Sequence, residues 1–244
     1  MKRPITAVLS LLTAGALIGA HLTLAQAAET LLFNGDDFQG WQEPVGTWSV
    51  VGAVTLDPTN PKALATTPGK GVFTNVGRSP SLTTKAEFGD AEIHVEFCVP
   101  KDSNSGVYVM GRYEVQIFDS FGKNAIAEHD CGAIYQRWDP ARGKGNEGYE
   151  GHTPKVNASK APGEWQSFDI TFRAPRFDAA GRKTENAKFI KVIHNGVVIH
   201  ENVEVTGPTR GGRSPEAPSG PVLLQGDHGP VAFRNLRIVT PAQP

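Results

Sequence analysis

NSGVYVMGRYEVQIFDSFG, Asn104 to Gly122, is the stretch whose reading decides the fold. Val107 to Met110 and Tyr113 to Phe118 are runs of β-branched and aromatic residues, and the Gly111-Arg112 step between them predicts a tight connection. A strand that only builds core alternates apolar and polar positions. This one also carries Asn104, Arg112, Glu114, Gln116 and Asp119, more hydrogen-bonding and ionisable groups than packing requires. Such a pair of strands is the floor of a polar cleft, and the rest of the chain has to supply the walls.

Outward from it, the pattern stays β. In Ala91 to Val99 the residues Ile93, Val95, Phe97 and Val99 share one face, and Glu92, His94, Glu96 and Cys98 the other. Phe168 to Phe172 alternates in the same way. Phe189–His194, Asn195-Gly196 and Val197–His200 read as a hairpin, because a type I′ turn needs φ > 0 at both central residues. Trp48–Val51 and Val54–Leu56 around Gly52 suggest another. Gly132–Tyr135, Val222–Leu224 and Val231–Val239 complete a dozen or more short strands, with no long stretch of helical period and no internal repeat. That predicts an all-β fold: a single-domain antiparallel β-sandwich of jelly-roll type. Gln136 to Gly163 breaks the pattern, with eight Gly or Pro residues and Trp138, Tyr149 and His152 among them. A loop of that length is a binding loop or a disordered one. Asn157-Ala158-Ser159 within it is formally a glycosylation sequon.

The chain begins with a secretory pattern. Lys2 and Arg3 precede an uncharged apolar run from Ile5 to Ala20, and Ala25-Gln26-Ala27 is a small-x-small cleavage site. A leader over residues 1–27, a domain over 28–244 and a periplasmic or extracellular location are the expectation. The apolar run is short for a membrane span, so none is expected once the leader is gone. Twenty-four Lys and Arg against 25 Asp and Glu, a net charge of −1, give no basic face for nucleic acid. Cys98 and Cys131 are either one bridge or two buried thiols.

Strand parity sorts the candidates. Glu114 and Gln116, two apart, point to one face about 7 Å apart. Arg112 falls on the Glu114 side, to pair with it or to hold a substrate oxygen. Asp119 joins them only if a β-bulge near Ile117 and Phe118 turns it inward. Gln116 cannot ionise, and Glu114 and Asp119 are too far apart for the close carboxylate pair, about 5–5.5 Å, of a retaining glycosidase. Asp227-His228 in a Gly-bounded turn offers a group that titrates near neutrality. His94 and His129 are weaker candidates. His194 and His200 read as surface neighbours across the hairpin. Arg234 either reaches the same floor or faces solvent.

Taken in order, NGDDFQGW, EFCVP, NSGVYVMGRYEVQIFD, CGAIY, GEWQSFDITF, HNGVVI and GDHGPVAFRNLRI resemble the 3-keto-disaccharide hydrolase domain family, from about Leu31 to Val239. The resemblance implies a concanavalin A-like jelly roll similar to laminarinase-type glycosidases, whose ExDxxE strand is echoed by Glu114-x-Gln116-x-x-Asp119. It also implies cleavage of glycosides oxidised to a ketone at C3: the ketone acidifies the C2 proton, the C1 substituent leaves by elimination, and water adds back. On that chemistry Glu114 or Asp119 is the base, His228 the acid or second base, and Arg112 the enolate stabiliser. Asn104, Gln116 and Arg234 hold sugar hydroxyls; Trp138 and Tyr149 are either stacking platforms for the aglycone or anchors of the long loop. A divalent metal could clamp the enolate, though no ligand spacing demands one. A non-catalytic glycan-binding module and an ordinary endoglycanase are the alternatives. Linkage and oligomeric state are not legible.

Overall fold

The computed structural model describes residues 27–241. The leader expected over 1–27 lies outside the described residues, save Ala27. In chain order the strands are β1 (Ala28–Leu31), β2 (Ser49–Leu56), β3 (Leu64–Asn75), β4 (Leu82–Phe88), β5 (Ala91–Cys98), β6 (Asn104–Val109), β7 (Tyr113–Phe118), β8 (Arg137–Trp138), β9 (Gly148–Tyr149), β10 (Gln166–Arg173), β11 (Arg176–Phe177), β12 (Lys183–Glu185), β13 (Ala187–His194), β14 (Val197–Val205), β15 (Gly220–Leu224) and β16 (Val231–Thr240). A 3₁₀ turn at Pro140–Arg142 is capped by the Asp139 carboxylate. Among the described residues no helix is long and apolar enough to cross a membrane.

Two antiparallel sheets face each other as a jelly-roll sandwich. The larger runs β14-β13-β10-β5-β16-β3-β2, with β1 beside the second half of β16. The smaller runs β4-β15-β6-β7. Inner residues of both make one core. Phe97 and Phe168 meet at a tilt with centroids 4.8 Å apart, Phe73 and Phe233 stack at 5.5 Å, and Tyr113 from the small sheet meets Phe172 at 5.4 Å. Each fully buried Phe contributes about 1.5–3 kcal/mol, so this aromatic seam is a main stabilising term.

Two local readings change, and the alternative left open for the cysteines is decided. β2 is one strand, not a hairpin about Gly52: its register slips between Val51 and Ala53, and Gly52 packs so close to Pro68 and Gly69 that a Cβ would sit 2.8 Å from the Pro68 carbonyl oxygen. His194 and His200 are buried rather than on the surface. Register places His194 opposite Phe168, whose ring is 4.8 Å away, and His200 Nε2 meets the Gly132 carbonyl oxygen at 2.8 Å. Cys98 and Cys131 are free buried thiols. Cys98 belongs to a small outer-face cluster covered by Trp165, whereas Cys131 is in the main core. The Asn195-Gly196 turn has φ values of 51° and 81°, the left-handed pair that a type I′ hairpin uses.

Candidate active site

The small sheet presents its outer face as rows of side chains, because residues directly opposite on neighbouring strands share a face. β6 and β7 pair without a register shift, Tyr108 opposite Glu114 and Gly106 opposite Gln116. β15 adds Leu223 opposite Tyr108, and the Gln225 amide N–H donates to the Gly106 carbonyl. On the far side Tyr135 N–H donates to Glu114 O, so the segment from Gly132 to Tyr135 continues the sheet beyond β7. One row is therefore Leu223, Tyr108, Glu114 and Tyr135. The next is Gln225, Gly106 and Gln116, with Asn104 beyond them.

Two loops wall this floor. The loop after β14 brings Arg210 and Gly211, and Thr209 bolts it down: its hydroxyl accepts from Glu114 N–H and donates to Arg112 O. The turn between β15 and β16 brings Asp227 and His228. It is fixed from behind by Asn75 Nδ2 and Ser79 N–H, both donating to Gly226 O. The open cleft between them is about 340 Å³, within the range of small-molecule sites, and its lining includes all these floor and wall side chains except Gly106 and Thr209.

Glu114 is only 2 % exposed and has no ion-pair partner among the described residues. Burial pushes its carboxyl up to about 8; the Tyr108 hydroxyl offsets part of that, and the Asp227 charge adds to it. Its carboxyl lies across β6 in the space where a side chain at Gly106 would stand, since a Cβ there would be 2.2 Å from Glu114 Oε1. His228 Nδ1 meets Asp227 Oδ1 at 2.6 Å, which leaves Nε2 for proton transfer. Tyr135 is also raised, by burial and by the Glu114 charge, with Arg210 countering. Three amide oxygens, Asn104 Oδ1, Gln116 Oε1 and Gln225 Oε1, are buried without a partner, which suits acceptance from substrate hydroxyls.

Of the side chains named from sequence, the structure brings Asn104, Glu114, Gln116, Asp227 and His228 to one cavity and places the others elsewhere. Arg112 is a correction. Met110 and Gly111 both take positive φ, so parity does not carry through the turn, and the guanidinium donates to the carbonyls of Met110, Pro215 and Ser219. Asp119 is a second correction. No bulge interrupts β6–β7, and its carboxylate instead accepts from Asp102 N–H and Phe121 N–H. Arg234 is a third: it stands on the outer face of the large sheet, bonded to Glu96 at 2.6 Å and stacked on Trp165 at 4.1 Å. Trp138 and Tyr149 lie in the β8–β9 hairpin beside the cavity but do not line it; Tyr149 has the Arg137 and Arg142 guanidinium groups over its ring at 4.9 and 4.5 Å. The sequon Asn157 points inward, its Nδ2 donating to Ser120 O and Lys123 O. Sequence reading missed Tyr108, Tyr135, Arg210 and Gln225 as wall and floor. Tyr108 was within reach, sharing parity with Asn104. Among the described residues no three His, Cys, Asp or Glu side chains assemble to hold a metal.

Comparison with known proteins agrees with this fold. The chain matches the family described as the 3-keto-alpha-glucoside-1,2-lyase-like domain over residues 28–239. Three candidate glycosyl hydrolases from Parabacteroides distasonis ATCC 8503 have similar structures. The first is 28% identical at a TM-score of 0.58, over 86% of this chain and 82% of that one. The second is 21% identical at 0.56, over 88% and 100%. The third is 18% identical at 0.50, over 86% and 92%. No curated protein matches the chain. The chain belongs to the 3-keto-alpha-glucoside-1,2-lyase-like family.

Proposed function

We propose that this is a glycoside-acting enzyme that cleaves glycosides carrying a ketone at C3, by elimination and then hydration. The observation that carries the proposal is the pairing, across one cavity, of a buried carboxyl held up to about 8 with a His228–Asp227 dyad. A proton donor and a base that face one cavity are what such an elimination requires. Near neutrality Glu114 is mostly protonated and is the donor. His228, with Nδ1–H turned to Asp227, presents the Nε2 lone pair and is the base.

In the first half His228 takes the C2 proton, and the electron pair forms the enolate of the C3 ketone. Arg210 and the Tyr135 hydroxyl, both in the lining, would stabilise that oxygen. The enolate collapses to a C1=C2 double bond, the C1–O bond breaks, and Glu114 protonates the departing oxygen. The second half reverses the roles. Carboxylate Glu114 takes a proton from water as its oxygen adds to C1, and protonated His228 returns a proton to C2. Each group ends as it began. Gln116, which cannot ionise, is no nucleophile; with Asn104 and Gln225 it offers unpartnered oxygens to sugar hydroxyls. The kinship to candidate glycosyl hydrolases supports the same substrate class. The leader pattern in residues 1–27 supports action outside the cytoplasm.

The test is incubation with a 3-keto-glucoside and with the unoxidised glucoside, in D₂O, with and without chelator. Aglycone release from the keto sugar alone is expected, with deuterium at C2 of the product to the extent that the half-exposed His228 exchanges its proton with solvent before returning one. Equal release from the plain glucoside, or binding without turnover, overturns the proposal.

A further inference from the structure

Arg210 is the cation of the cavity lining, and its side chain comes from an exposed loop. A long, solvated arginine samples many rotamers, so a defined position needs something to hold it. Its backbone is held by two bonds: Arg210 N–H donates to Gln136 O at 2.8 Å, and its own carbonyl accepts from the Tyr108 hydroxyl at 3.2 Å. Its guanidinium lies over the face of Trp138, with Cζ 3.8 Å from the ring centroid. Trp138 therefore has one face covered by Arg210, which leaves less of it for a sugar.

The hairpin that carries Trp138 is itself braced against the Arg210 loop. Arg137 donates to the Thr206 hydroxyl, which bonds Glu150 in turn, and pairs with Glu150 directly at 3.3 Å. Gly207 allows this approach: a Cβ there would be 2.6 Å from Arg137 Nη2. On the hairpin's other strand, Tyr149 sits with Arg137 and Arg142 over its ring. Resting on the reaction proposed above, we infer that Trp138 is a positioning residue, which holds the Arg210 guanidinium at the cavity where the enolate oxygen forms. The β8–β9 hairpin acts on the reaction through Arg210, not by touching the aglycone.

The test combines a double-mutant cycle with a spectroscopic arm. On a 3-keto-glucoside, Trp138→Ala should lower kcat about tenfold with little change in KM, and Trp138→Phe should restore most of it. Arg210→Ala should lose roughly 10²-fold, and Trp138→Ala added to it should cost no more than about twofold further. Additive losses would mean that Trp138 acts on its own, and a Trp138→Ala enzyme with wild-type kcat would remove the role altogether. Both overturn the inference. In the NMR spectrum the Arg210 Nε–H resonance should carry an upfield ring-current shift in wild type and in Trp138→Phe, and lose it in Trp138→Ala. Absence of that shift in wild type also overturns the inference. A wild-type enzyme inert to the keto-glucoside would instead fault the reaction proposed above, and the NMR arm would still decide whether Trp138 holds Arg210.

Discussion

Replacing Gly106 by Ala displaces the proposed acid without deleting it. Gly106 has a φ outside the left-handed region, so Ala can adopt the same strand backbone. Its Cβ, however, would lie 2.2 Å from Glu114 Oε1, 2.9 Å from Cδ and 3.0 Å from Cγ, against about 3.4 Å for ordinary contact. The oxygen therefore has to move by about 1 Å or more, and it can, because it is the far end of a flexible side chain. Misplacing a reacting group by about 1 Å costs on the order of 10²-fold in rate. The expected enzyme folds normally, binds the keto-glucoside and turns it over about 10²-fold more slowly. Steady-state aglycone release, paired with a thermal melt, measures both halves of that statement. Adding Glu114→Gln to Gly106→Ala should then cost little beyond Glu114→Gln alone, since the two changes remove the same function. Near-wild-type turnover by Gly106→Ala would refute the placement of Glu114 as the reacting acid.

Other expectations follow from the same contacts. Glu114 binds its proton more tightly in the folded chain, up to about 8, than at its ordinary 4.5. Stability is therefore unaffected below about pH 4.5, falls as pH rises from there to about 8, and is then level, by at most roughly 5 kcal/mol. Glu114→Gln should accordingly raise the urea midpoint relative to wild type at pH 9 and not at pH 4; parallel curves would contradict the burial argument. His228→Ala should lower kcat by roughly 10²-fold or more in the keto-glucoside assay, and Asp227→Asn by about tenfold. Arg112→Ala should act on the melt: three carbonyls lose a charged donor, for about 1.5–3 kcal/mol each at most. Asp119→Ala should leave kcat within about twofold of wild type, because its carboxylate serves a turn outside the cavity; a 10²-fold loss would restore it to the site.

What could be read from sequence was whatever is local. Alternation in β5 and β10, and the Asn-Gly turn, carry period and chirality in adjacent residues, and with them the sandwich. Glu114 and Gln116 were legible for the same reason, being two apart on an unbroken strand. Parity fails where a strand ends. Past the left-handed Met110-Gly111 turn it no longer says where Arg112 points, and at Asp119 it needed a bulge that the β6–β7 register does not contain. Arg210 was beyond reach for another reason. It meets Tyr108 across about a hundred residues of chain, in a loop without period, and Thr209-Arg210-Gly211-Gly212 says only that the chain turns there. His194 and His200 looked like surface residues because a hairpin's two faces cannot be told apart until the strand beside it is known.

The separate burial of Cys98 and Cys131 bears on how the molecule reaches its native state. Burial pushes both thiols up to about 12, so neither ionises to the reactive thiolate at ordinary pH. Maturation needs no thiol oxidant and no disulfide isomerase. Refolding yield from denaturant should be the same with and without dithiothreitol. Production in a reducing cytosol should give the same enzyme as secretion into an oxidising medium.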